Sequence, residues 1–179
     1  MVQYVVGCTA TSNSSANTQD AWIELQAPSG MMIKIKRVRV GFGSGTQSAG
    51  VDNHFLLQFY RYTTTSTTTP STLTFPASNS TVNAAAGSLF TQRSPGNAKA
   101  SQLTTVKVKN GTTAFILGTG TVQLVDQISI NGRALYEWLA RDDDDMIFTT
   151  GAAAAECFAI AITSNVASQV FTATIDWIE

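Results

Sequence analysis

The chain has 179 residues, 44% of them hydrophobic, and only 13% carry charge, about half the usual share of roughly 25%. Eleven Lys and Arg against twelve Asp and Glu leave a formal net charge of -1. There is none of the basic excess that a nucleic-acid binder or a polybasic membrane-surface protein would show.

A chain this long fits one domain and can hide roughly 70% of its unfolded surface. No run approaches the roughly 18 apolar residues of a membrane span. The first seven residues have neither a cationic region nor a long apolar one, so no signal peptide is expected.

Strand signals begin at once: Val2, Tyr4, Val6 and Cys8 share one parity, as in a strand with one buried face. After a polar turn at 11–20, residues 21–27 read as a strand stopped by Pro28-Ser29-Gly30. The next strand, 31–42, sets Ile33 and Ile35 against Lys34 and Lys36, then Val38, Val40 and Phe42 against Arg37 and Arg39. The parity flips between Lys36 and Arg37. That predicts a β-bulge, or a strand that changes packing partner partway. A Gly/Ser turn at 41–50 precedes a strand at 53–62, with Phe55, Leu57 and Phe59 on one side.

The most biased stretch follows. Its Thr-rich opening at 63–70 is too β-branched for a helix and too polar for a core. From 63 to about 100, four apolar anchors interrupt small and polar residues: Leu73, Phe75, Leu89 and Phe90. Ordering costs roughly 1–2 kcal/mol per residue, and each buried anchor returns only about 1.5–3 kcal/mol. The stretch therefore reads as a loop or arm making contacts outside its own domain.

The second half is strand-dense again. Asn110-Gly111 between 104–109 and 112–117, and Asn131-Gly132 between 121–130 and 133–140, are strong hairpin signals. An acidic turn follows, and the alanines at 152–155 allow one helical turn at most. The strands at 157–163, with Phe158, Ile160 and Ile162, and at 169–178, with Phe171, Ala173, Ile175 and Trp177, are expected to pair as a hairpin. Roughly eight to ten short strands separated by turns make residues 1–179 a single all-β domain, an antiparallel β-sandwich or barrel. Parity assigns Trp22, Ile33, Ile35, Val38, Val40, Phe55, Leu57, Phe158, Ile160, Ile162, Ile175 and Trp177 to the core.

The chemistry of an enzyme is missing from this pattern. His54 is the single histidine, no GxSxG elbow accompanies it, and it reads as a polar residue on a strand face. Glu24, Glu137 and Glu156 sit in no glycosidase-like run, and no Gly-rich phosphate loop opens a helix. No catalytic residue, cofactor or metal is therefore expected. The weak exception is Asp142, Asp143, Asp144 and Asp145, hard oxygen ligands suited to Ca²⁺ but lacking EF-hand spacing. Cys8 and Cys157 read as two buried thiols rather than a disulfide. The glycosylation-like triplets at Asn13, Asn79 and Asn110 are what this Ser/Thr content gives by chance.

Two basic strips stand out: Lys34, Lys36, Arg37 and Arg39 in one strand, Lys107 and Lys109 in another. Each is either a docking strip for an acidic partner or the charged edge of a greasy strand.

Four segments carry a resemblance. They are the strand beginning at residue 2, Trp22 to Pro28 running into Ile33 to Val40, the turn Ile130-Asn131-Gly132-Arg133 leading to Tyr136-Glu137-Trp138, and the closing Ile175-Asp176-Trp177-Ile178-Glu179. Together they resemble jelly-roll capsid decoration (cement) proteins of tailed bacteriophages. The resemblance implies a β-sandwich of jelly-roll type that forms a homotrimer on the capsid exterior, is made in the host cytoplasm, and bridges and stabilises the major capsid protein lattice. Contacts with the capsid or with other subunits are expected, from the residues themselves, at Lys34, Lys36, Arg37, Arg39, Leu73, Phe75, Leu89 and Phe90; the stretch 63–100 has no counterpart in the resembling proteins. A rival class is a receptor- or glycan-binding sandwich such as a tail-fibre tip, with Tyr60, Tyr62 and Trp138 as stacking platforms. A minor tail or neck component is a third.

Overall fold

The computed structural model describes residues 3–27, 32–42, 53–66, 71–73, 82–84, 88–93, 105–109, 111–112, 114–131, 134–140, 147–149 and 156–178. Among these residues the chain forms thirteen strands and no helix. One sheet joins β1 (Gln3–Thr11), β3 (Met32–Phe42), β6 (Val82–Ala84), β7 (Ser88–Arg93), β10 (Tyr136–Leu139), β11 (Ile147–Thr149) and β13 (Val170–Ile178). Its order is β10-β3-β13-β1-β7-β6, with β11 also on β3. The other joins β2 (Gln19–Gln26), β4 (His54–Tyr62), β5 (Ser71–Leu73), β8 (Thr105–Val108), β9 (Gln123–Asn131) and β12 (Cys157–Ser164), in the order β5-β8-β2-β12-β4-β9. Both sheets are antiparallel throughout, and they pack face to face as a β-sandwich.

Strand parity fixes what lies between the sheets. All twelve residues assigned to the core from sequence are at most 1% exposed. Tyr4, Val6, Cys8 and Ala10 from β1 join them. Phe171 sits at the centre, stacked on Phe42 at 4.8 Å and set edge-on to Phe55 at 4.9 Å and Trp22 at 5.8 Å. Each such side chain contributes about 1.5–3 kcal/mol by leaving water.

The parity flip in β3 corresponds to a bulge. Arg37 pairs with Asp176 and Ile35 with Trp177, so Lys36 has no opposite number. One extra residue lets Ile33 and Ile35 point inward on one side of it and Val38 and Val40 on the other. A similar shift leaves Trp22 unmatched between Ile23↔Ile160 and Ala21↔Ala161.

Three expected hairpins do not form. Gly111 turns at φ +55, but β8 pairs with β2 and β5, and the chain beyond the turn runs alongside β2, where the Phe115 carbonyl accepts the Ala21 N–H at 2.8 Å. Asn131 does begin a turn, closed by Ala134 N–H to the Asn131 carbonyl at 2.9 Å, yet β9 and β10 lie in opposite sheets. β12 and β13 are likewise in opposite sheets. The physical reason is shared: a strand with one apolar face is equally satisfied beside a neighbour or across the core from it.

The reading of 63–100 as a loop or arm also changes. Its described segments β5, β6 and β7 extend both sheets of this same sandwich. Backbone N–H and C=O groups need partners however polar the side chains are, and a sheet edge supplies them. Leu73 stands opposite Val106, Leu89 opposite Gly7 and Phe90 opposite Val6. Phe75, the aspartates at 142–145 and the alanines at 152–155 lie outside the described residues.

Candidate functional site

The outer face of β3 carries the first basic strip. β3 is flanked by β13 on one side and by β10 and β11 on the other, so the strip is not an edge. Arg37 is committed internally: its Nε and Nη2 donate to Asp176 Oδ2 at 3.0 and 2.6 Å, and Nη1 lies 3.8 Å from Glu137. Asp176 is buried there. Arg39 stands in register between Thr174 and Glu137, lining a shallow groove with Gly41, Phe42, Leu135, Thr172 and Thr174. Lys34 and Lys36 are half-buried on the same face.

Lys107 and Lys109 both point at acids of β2. Glu24, fully buried, lies directly opposite Lys107, with Nζ 3.3 Å from Oε1. Tyr62 OH also donates to Glu24, as do Thr65 Oγ1 at 2.5 Å and the Ser66 N–H at 3.1 Å. Lys107 donates in turn to the Ser66 carbonyl at 2.7 Å. Burial, reinforced by the Glu24 charge, pushes the Tyr62 phenol upward. Lys109 faces Asp20 at 3.3 Å, and burial lowers its proton affinity against the opposing pull of Asp20. In a chain so poor in charge, acids inside the apolar run 20–25 were the available signal for these pairs.

The two cysteines are free, buried thiols on opposite sheets, both pushed up to about 12 chiefly by burial. His54 is exposed at the start of β4; its backbone N–H donates to Asn165 Oδ1, and its Nδ1 lies 3.3 Å from Asn165 Nδ2. Of the three proposed sugar platforms, Tyr62 is buried, while Trp138 and Tyr60 pack against apolar clusters. Among the described residues no group of three or more His, Cys, Asp or Glu could hold a metal ion, and no helix is long and apolar enough to cross a membrane.

Sequence reasoning missed the most distinctive surface. Among the residues whose side-chain burial is described, every exposed large hydrophobic falls between 116 and 139: Ile116, Val122, Leu124, Val125, Ile128, Leu135 and Leu139. β9 ends its sheet, and of its nine residues only Ile130 is buried. No clear signal marked it: 121–130 alternates Val122, Leu124, Ile128 and Ile130 with Thr121, Gln123, Gln127 and Ser129, the pattern of a half-buried strand. The chain matches no known protein-family model, no curated protein and no solved structure.

Proposed function

We propose that this chain is a non-enzymatic virion structural protein, a decoration (cement) protein that binds the outer surface of a tailed-phage capsid. The observation that carries the reading is the apolar strip from Ile116 to Leu139. Exposed hydrophobics scattered singly are ordinary, but here they concentrate in one stretch of chain, four of the seven on or beside the edge strand β9, and such a concentration marks an interaction surface. Homotrimeric association, together with seating on the major capsid protein, would cover it.

Strand order supports the jelly-roll part of the reading. With β5–β8 and β11 set aside, the remaining strands form two four-stranded runs, β10-β3-β13-β1 and β2-β12-β4-β9. The chain crosses between them at every step except β4 to β9, which is the connectivity of two interlocked Greek keys. Low charge balanced near zero suits a partner recognised by apolar contact rather than a nucleic acid or a membrane.

The test is binding of purified protein to particles assembled from the major capsid protein. Saturable binding at hundreds of copies is expected, with light scattering giving about three times 19.0 kDa for the free protein. A monomer that leaves such particles bare would overturn both halves. A copy number of tens or fewer would instead point to the tail or neck.

A further inference from the structure

Asp20, at the start of β2, and Lys109, one residue past β8, stand on neighbouring strands with side chains 1% and 0% exposed. Lys109 Nζ lies 3.3 Å from Asp20 Oδ1 and 5.5 Å from the centroid of the Trp22 ring. The Cys8 thiol donates to the Lys109 carbonyl at 3.1 Å, and Phe115 is itself buried. The two oxygens of Asp20 are treated differently. Oδ1 accepts the Phe115 backbone N–H at 3.2 Å, while Oδ2 is buried with no hydrogen-bond partner.

The neighbouring pair makes the contrast. Both Glu24 oxygens are held by donors from Tyr62, Thr65 and Ser66, so its negative charge is solvated by protein. Asp20 has no such shell on Oδ2, the oxygen that would have to leave if its carboxyl reacted.

We propose that Asp20 and Lys109 condense into an intramolecular isopeptide bond that ties β2 to the end of β8. Once Nζ swings from Oδ1, where it rests at 3.3 Å, to within reach of Oδ2, the ammonium passes that oxygen a proton, giving a neutral amine and a neutral acid in a dry site. The Nζ lone pair attacks Cγ and forms the C–N bond. Charge collects on Oδ1, where the Phe115 N–H meets it as an oxyanion donor. A second proton moves from Nζ to Oδ2, the Cγ–Oδ2 bond breaks, and water departs. Ammonium and carboxylate become an amide and one water, with no oxidant, cofactor or external reagent consumed.

The surroundings favour this direction. Burial already lowers the proton affinity of Lys109. Condensation removes two buried charges with their desolvation penalty and eliminates the orphaned oxygen. Oδ1 stays in place as the amide carbonyl, still accepting from Phe115. The bond closes a loop from residue 20 to residue 109 that contains β3 through β8.

Mass spectrometry of the intact, acid-unfolded chain decides it. The expected mass is lower than that of the sequence by one water, and a proteolytic digest should give one branched peptide carrying residues 20 and 109. Lys107→Gln, which breaks the neighbouring pair, should keep the deficit, and Lys109→Gln should lose it. A folded wild-type chain at full sequence mass overturns the proposal. So does a water deficit confined to a linear peptide, the mark of an aspartyl succinimide.

Discussion

Lys107 Nζ and Glu24 Oε1 stand 3.3 Å apart on the outside of the second sheet, beneath a cover formed by residues 63–66 and 116–119. The cover is pinned by Ser66 Oγ donating to the Ile116 carbonyl at 2.6 Å and by paired backbone bonds between Thr64 and Thr119 at 3.0 and 2.9 Å. The pair thus links the Thr-rich turn after β4 to the segment that begins the exposed apolar strip. Lys107→Met would leave Glu24 buried with its charge uncompensated, at a cost of about 3–5 kcal/mol. Urea unfolding checks this, and adding Glu24→Gln should recover a large part of the loss. A change below about 1 kcal/mol would mean that Lys107 does not neutralise Glu24.

Gly118 packs where no side chain fits. A Cβ there would lie 2.0 Å from the Thr64 carbonyl oxygen and 2.4 Å from the Tyr62 ring. Neither can retreat, because Thr64 is bridged to Thr119 and Tyr62 is held by Glu24. Gly118→Ala is therefore expected to cost about 1–3 kcal/mol through overpacking, measured as a lower urea midpoint. A neutral outcome would show that the cover is loose.

Cys8 and Cys157 have proton affinities raised from 9.0 to about 12, first by burial. A group whose folded pKa is raised adds stability that is complete below its unfolded value and lost as pH climbs toward the folded one. The unfolding midpoint should accordingly be insensitive to these thiols near neutral pH and fall between about pH 9 and pH 12. An aromatic disulfide reagent at mildly alkaline pH should leave both thiols untouched in the native protein and label both in guanidinium. Rapid native labelling of either thiol would contradict its burial.

Ile160 tests the parity reading directly. It is fully buried in β12, opposite Ile23 and Phe59 in register. Ile160→Ala is expected to cost about 2–5 kcal/mol in denaturant unfolding, and a loss below about 1 kcal/mol would remove it from the core.

Parity made β1, β2, β3, β4, β12 and β13 and their buried faces legible, and even the bulge at Lys36, because a period of two is a local property of the chain. Partner choice is not local. Phe158, Ile160 and Ile162 face Phe171, Ile175 and Trp177 across the core, and nothing in their alternation separates that from pairing side by side. The Asn-Gly turns misled for the same reason: a turn reverses the chain but does not say in which sheet the next strand lands. Lys107 and Lys109 looked like surface charge because their acids, Glu24 and Asp20, are remote in sequence. The apolar strip was missed because 121–130 was read for its strand character, not for which face would meet water.

The basic strip of β3 divides into two roles that mutation can separate. Arg37 carries structure: both of its short bonds go to Asp176, whose side chain is only 2% exposed. Arg37→Ala should cost about 1.5–3 kcal/mol, as expected for bonds to a charged group, whether or not a capsid is present. Lys34 and Lys36 lie half-buried on the outer face, where ion pairs are worth about 1 kcal/mol or less. Lys34→Gln and Lys36→Gln should therefore leave the melting temperature almost unchanged. If the strip docks onto an acidic capsid surface, the same two substitutions should weaken binding to assembled particles and flatten its salt dependence. Co-sedimentation at low and moderate salt measures both effects. Wild-type binding with unaltered salt sensitivity in the double variant would remove the strip from the docking surface and leave particle contact to the apolar residues between Ile116 and Leu139.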